Sequence, residues 1–209
     1  MASPRRRRSW STPRPGCTCV RCCRDGATVS GHRFAVLAVC TANICRSPMI
    51  EILLRARLDD ARFEVASAGV RGWDRKPMDS MASLELARLG HSSESFRSHA
   101  IDSYLVDSAD LILTATREHR SAVLSMNPQA LRRSFTLVEF AALTELVDGA
   151  DPAALVAQAA QRRSLAPADA DVADPYRRGP DVHRATADQI DAAVATIATR
   201  LNALVPAAR

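Results

Sequence analysis

Aromatic residues, lysine and late cysteines are what this chain has least of. Aromatics make up 4% of its 209 residues against 47% apolar residues in all, so a core must be packed from Leu, Val, Ile and Ala. Lys76 is the only lysine. No cysteine follows Cys45, which removes any relay of downstream thiols. No apolar run is long enough for a membrane span, and no apolar stretch follows the first arginines as a secretory signal requires. The expected compartment is therefore the cytoplasm, where thiols stay reduced.

A basic domain is also missing, although the net charge of +5 suggests one. Residues 1–33 hold eight arginines and one acid, Asp25, a net +7, which leaves −2 for everything after them. The charge sits in an extension, and a nucleic-acid surface on the domain is not expected. Residues 1–32 are rich in Arg, Ser, Pro and Gly and show no apolar periodicity, so they read as a disordered extension to a domain over 33–209. Cys17, Cys19, Cys22 and Cys23 lie within it. Zinc usually takes two ligand pairs separated by a folded knuckle, and four cysteines packed this tightly do not offer that, so no metal is expected.

What is present alternates. Residues 34–39 form a continuous apolar run of strand length, as in a parallel strand buried on both faces. Ser47 then Pro48 reads as an N-cap followed by a first-turn proline, and Ile50, Leu53, Leu54 and Leu58 follow at helical spacing. Further strands are expected over 63–67, 110–114 and 134–138, and helices over 79–89, 117–125, 139–147, 152–163 and 181–204, with 164–173 as a loop. Strands alternating with helices predict an α/β fold with an open parallel sheet covered on both faces and ligands at the carboxyl ends of the strands.

One such end carries Cys40-Thr41-Ala42-Asn43-Ile44-Cys45-Arg46-Ser47-Pro48. A turn of this length between a strand and a helix start makes an oxyanion cradle from main-chain N–H groups and the helix N-terminus. Arg46 adds a planar fork for two phosphate oxygens. The same field favours the thiolate of Cys40, a nucleophile. The stretch predicts covalent chemistry on a phosphate-like oxyanion.

Val39 to Pro48 resembles the Val-Cys-x-Gly-Asn-x-Cys-Arg-Ser-Pro pattern of low-molecular-weight protein-tyrosine phosphatases, with Ala42 in place of glycine. The resemblance continues through Ser67-Ala68-Gly69, Trp73, 110–114 and Asp174-Pro175-Tyr176, and covers roughly residues 33–205. It implies a three-layer α-β-α fold on a four-stranded parallel sheet, flavodoxin- or Rossmann-like. It implies that Cys40 is the nucleophile, that Arg46 binds the equatorial phosphate oxygens, and that Asp174 is first general acid and then base. Thr41, Ala42, Asn43, Ile44, Cys45 and Ser47 would line the phosphate loop, with Ser47 donating to the sulfur. Asn43 and Ser47, supported by Ser67 and His99, would hold the loop's shape. Trp73 and Tyr176 would wall the cleft, and Cys45 would form a reversible disulfide with Cys40. No cofactor is implied. The implied partner is a phosphotyrosine-containing protein, such as a bacterial tyrosine kinase.

Two other functions compete. A catalytically weak module that captures phosphoproteins is suggested by Ala42 and by the length of 139–174, which predicts a mobile or regulated acid loop. Arsenate reduction on the same cradle needs later cysteines, which are lacking. At Ala42, a requirement for positive φ would cost roughly 1–2 kcal/mol; if the position only lets phosphate approach closely, the methyl narrows the pocket.

Overall fold

The apolar run that reads as a doubly buried strand lies at the centre of a sheet in the computed structural model, which describes residues 33–204. This strand, β1 (Phe34–Cys40), pairs in parallel with β2 (Phe63–Gly69) on one side and β3 (Leu111–Thr114) on the other; β4 (Ser134–Thr136) extends the sheet beyond β3. The order is β2-β1-β3-β4, all parallel. Side chains alternate across β1. Val36, Ala38 and Cys40 join one core cluster, while Leu37 and Val39 join the other.

The first cluster is covered by α1 (Arg46–Arg57), α2 (Ser80–Arg88), α5 (Leu137–Leu146), α6 (Pro152–Gln161) and α7 (Pro180–Ala203). The second lies under α3 (Ser103–Ser108), α4 (Arg117–Met126) and a 3-10 turn over Pro128–Arg133. This is the expected three-layer α-β-α arrangement. Because β2 lies on one side of β1 and β3 on the other, the chain reverses direction across the sheet at the end of β1. That switch point is where open α/β sheets leave a crevice for ligands, and Cys40 stands on it.

Three local expectations change. The strand expected over 134–138 stops at Thr136, because Thr136 and Glu139 form a reciprocal capping box that starts α5. Helix α3 and the 3-10 turns at Pro128–Arg133 and Arg163–Leu165 were not predicted by periodicity and are too short to show one. Ser47 is not the N-cap of α1. Cys45 holds that position, and no side chain caps the helix start. The disordered extension expected over 1–32, with its four cysteines, lies outside the described residues. No described helix is long and apolar enough to cross a membrane.

Candidate active site

The turn after β1 is fastened from outside by its carbonyls. Those of Cys40, Thr41 and Ile44 accept from the main-chain N–H groups of Val70, Arg71 and Asp79 at 2.9, 2.8 and 2.8 Å. In a trans peptide the N–H points opposite to the C=O, so the N–H groups of Thr41, Ala42 and Cys45 are turned inward. The uncapped start of α1, with no acid in its first turn, adds its own orphan donors. The local sequence thus builds an anion nest.

Gly69 explains why β2 ends where it does. A Cβ there would stand 2.8 Å from the Ala42 carbonyl carbon and the Thr41 oxygen and 2.9 Å from the Asn43 nitrogen, so only glycine lets β2 lie against the turn. The condition for strain at Ala42 is not met, since its φ is not positive. The positive φ of the turn belongs to Asn43, at 57°, a residue type that tolerates it.

Asn43 is buried and organises the turn through its side chain. Its Nδ2 donates to Ser47 Oγ at 2.9 Å and to Ser67 Oγ at 2.7 Å, and its Oδ1 accepts from the His99 main-chain N–H at 2.8 Å. His99 therefore supports the loop through its backbone; its side chain is exposed. Ser67 Oγ donates a hydrogen bond to Glu51 Oε2 at 2.7 Å. Ser47 Oγ, freed from capping, lies 3.0 Å from Cys40 Sγ and 3.3 Å from the Ala68 carbonyl.

Arg46 is 4% exposed. Its Nη1 donates to the Val172 carbonyl at 3.1 Å, and its Nη2 to Thr41 Oγ1 at 3.2 Å and to Asp174 Oδ2 at 2.8 Å. Its buried Nε has no partner among the described residues, an orphan donor of the kind an oxyanion satisfies. Asp174, half exposed, is brought to the cradle from 128 residues away. Its Oδ1 accepts from the Tyr176 N–H at 3.2 Å. The loop before it is not loose, as its length suggested. Thr136 Oγ1 donates to the Ala170 carbonyl, Asp171 accepts from the Arg117 N–H, and the Val172 N–H donates to the Ala115 carbonyl, all within 2.9 Å. Trp73 and Tyr176, 56% and 40% exposed, stand on the two loops beside the cradle. Ile44 is half-buried against the core. Cys45 is a buried free thiol, and burial, reinforced by Asp79 and Cys40, pushes its pKa far up.

Two residues escaped the sequence reading. Glu51 lies on the buried side of α1, its pKa raised by burial and held back by Ser67 and Arg55; an acid among Ile50, Leu53 and Leu54 was the available signal. His119 is 5% exposed. Its Nε2 lies 2.8 Å from Thr41 Oγ1 and its Nδ1 2.8 Å from Thr116 Oγ1. Burial and then the Arg46 charge lower its pKa to about 4, which keeps the ring neutral near pH 7. Nothing local in the sequence pointed to it.

The site is thus a thiol, an anion nest, a buried guanidinium and a carboxylate gathered at one strand end. Among the described residues no group of three or more His, Cys, Asp or Glu is placed to hold a metal ion.

Residues 35–161 match the family model described as low molecular weight phosphotyrosine protein phosphatase. The chain is 34% identical over 114 residues to the low molecular weight protein-tyrosine-phosphatase Etp of Escherichia coli K12, covering 54% of this chain and 76% of that protein. It is 32% identical over 165 residues to a low molecular weight protein-tyrosine-phosphatase of Streptomyces coelicolor, covering 77% and 88%. The solved structure of the YwlE arginine phosphatase from Geobacillus stearothermophilus superposes with a TM-score of 0.64 at 27% identity, covering 81% of this chain and 94% of that one.

Proposed function

Since the chain belongs to the low molecular weight phosphotyrosine protein phosphatase family, we propose that it hydrolyses phosphotyrosine in proteins through a cysteinyl-phosphate. The observation that carries this reading is the Ser47 hydroxyl 3.0 Å from Cys40 Sγ beside the buried guanidinium of Arg46. A hydroxyl donor stabilises a thiolate as attacking group and again as leaving group.

In the first step the Cys40 thiolate attacks phosphorus. An S–P bond forms, the P–O bond to the phenol breaks, and Asp174 gives its proton to the departing oxygen. In the second step Asp174 takes a proton from water, whose oxygen attacks phosphorus; the S–P bond breaks, and phosphate and the thiolate are released. Arg46 and the inward N–H groups hold the equatorial oxygens, where charge spreads in the transition state. Phenol has a pKa near 10, so protonating the leaving oxygen removes much of the barrier to its departure. Trp73 and Tyr176 offer aromatic faces to an aryl ring.

The reading places the protein in the cytoplasm, where the Cys40 thiol would stay reduced. A tyrosine kinase whose own phosphotyrosines are accessible is a suitable partner. A second reading, cleavage of phosphoarginine, is favoured by the likeness to the Geobacillus arginine phosphatase. Phosphate release from p-nitrophenyl phosphate, a phosphotyrosine peptide and a phosphoarginine peptide tests both. We expect turnover of the first two, abolished in Cys40→Ser. Preference for the phosphoarginine peptide would establish the second reading, and tight binding of either peptide without turnover would indicate a capture module instead.

A further inference from the structure

Three non-glycine residues among those described have positive φ: Asn43 at 57°, Arg75 at 62° and Arg177 at 59°. Asn43 shapes the cradle, and asparagine visits this region readily. Arginine does not, and glycine would relieve both other positions of strain. Arg75 lies two residues after Trp73, and Arg177 directly after Tyr176, so the strained arginines flank the two aromatic walls. Backbone outliers of this kind concentrate at functional sites.

Each strained arginine has cationic neighbours. Arg71, Arg75 and Lys76 stand on the loop after β2, and Arg177 and Arg178 on the loop of the acid; all five are exposed. None enters a salt bridge with another described residue. Arg177 lies over the Tyr176 ring, 5.3 Å from its centre. Four acids on or beside these loops are already engaged: Asp74 accepts from the Ala100 N–H, Asp79 caps α2, Asp171 pairs with Arg117 and Asp174 with Arg46; exposed Asp181, in the first turn of α7, enters no salt bridge with another described residue. Since the chain beyond residue 33 carries a net −2, these loops run against their surroundings.

Both loops are held by their backbones. The Arg71 N–H donates to the Thr41 carbonyl at 2.8 Å, on the cradle itself. The Arg75 N–H donates to the Ser98 carbonyl at 2.8 Å and the Lys76 N–H to Ser98 Oγ at 2.9 Å. On the other loop the Arg178 N–H donates to the Pro175 carbonyl at 2.9 Å. The five cations thus stand on two loops that are each joined to the cradle, one through the Arg71 N–H at Thr41 and the other through Asp174 at Arg46.

We propose that these five cations form a basic rim that selects phosphorylated segments whose neighbouring residues are acidic. The proposal rests on the phosphotyrosine-protein reading for the phosphate itself and adds the chemistry of the flanks. A segment with carboxylates on both sides of the phosphotyrosine, or with several phosphotyrosines in a row, would meet a cation from each loop.

The test is fluorescence anisotropy with full-length Cys40→Ser protein, which binds without turnover. Labelled phosphotyrosine peptides with acidic or neutral flanks are compared, alongside the unphosphorylated acidic peptide. Arg75→Gly and Arg177→Gly remove each charge while suiting the backbone. Arg75→Gln and Arg177→Gln remove the charge and keep side-chain bulk. One charge pair about 6 Å apart in water corresponds to roughly a threefold change in affinity. The acidic phosphopeptide is therefore expected to lose about threefold in each single variant and about tenfold in the double at low salt. Its preference over the neutral one should shrink towards unity, and the effect should fade near 1 M salt, where the screening length is about 3 Å. The arginine-rich stretch 1–32 is present in every protein compared, so differences between variants report on the rim alone. Equal binding of acidic and neutral phosphopeptides, or a preference unchanged in the double variants, overturns the proposal. So does equal binding of the unphosphorylated acidic peptide, which would make the rim a general polyanion surface. Failure of the phosphotyrosine reading shows separately, as loss of all binding that depends on the phosphate.

Discussion

Acidification should weaken this protein through His119 in a way that one substitution isolates. Burial and the neighbouring Arg46 lower its folded-state pKa to about 4 from the ordinary 6.5. The fold therefore favours the neutral ring. Its contribution is complete above pH 6.5, where the unfolded chain is also neutral, and is lost as pH falls through 6.5 towards 4. The 2.5-unit difference corresponds to about 3 kcal/mol in full, of which about 2 kcal/mol is gone by pH 5. For a domain of this size that is about 4–8 °C in melting temperature. The assay is urea unfolding of wild type and His119→Gln at pH 7.5 and pH 5. Carboxylates and the other histidines titrate in both proteins, so only the difference between the two pH responses matters. Wild type should lose about 2 kcal/mol more than the variant between the two pH values. Equal losses would refute the reasoning, since they would mean that the ring gains its proton in the folded state at no cost.

Gly69→Ala should destabilise by about 1–3 kcal/mol, because the added methyl meets the Thr41 and Ala42 backbone at 2.8 Å. It should also cut kcat roughly tenfold or more by displacing the turn; thermal melts and p-nitrophenyl phosphate kinetics read both. Ala42→Gly should not speed the enzyme, since Ala42 is not at positive φ, and should lower stability by about 0.4–1 kcal/mol. A large gain in kcat would show that the methyl obstructs the pocket. Asp174→Asn should lower kcat roughly 100-fold or more on phenyl phosphate and less on esters of more acidic phenols, which need no proton to leave; a loss independent of the leaving group would remove Asp174 as acid.

The residues proposed to bear the chemistry are legible because spacing encodes them. Cys40 and Arg46 are bound to one turn, and the Asp-Pro pair at Asp174 is a local signal even though it reaches Arg46 from 128 residues away. The strands were legible for a similar reason, since β1 is buried on both faces and a continuous apolar run records that. What the sequence hid was the division of labour among polar groups. Ser47 reads as a cap, yet Asn43 Nδ2 donates to its oxygen and leaves its one hydroxyl proton to the nearer of two acceptors, Cys40 Sγ at 3.0 Å against the Ala68 carbonyl at 3.3 Å. His99 reads as a side chain and works as a peptide N–H. His119 meets Thr41 across 78 residues, a contact fixed by the sheet order and not by any pattern along the chain. Ala42 looked strained only because the glycine it replaces is a residue of unusual freedom; the turn places that demand on Asn43.

The Arg46–Asp174 contact also sorts anions by valence. Its partners are 5% and 51% exposed, so a buried guanidinium is met by a carboxylate that remains half in water. Any anion that takes Arg46 must exchange with that single negative charge. A phosphodiester or a sulfate ester carries one charge as well, and the exchange gains it little. A phosphate monoester near neutral pH carries two, so its Coulomb attraction to the guanidinium is about double that of the group it displaces. The carboxylate, released into solvent, then stands beside the leaving oxygen. In the proposed mechanism one side chain is in this way both a competitor that turns away monoanions and, once the displaced carboxylate has taken up a proton from solvent, the acid that serves the dianion.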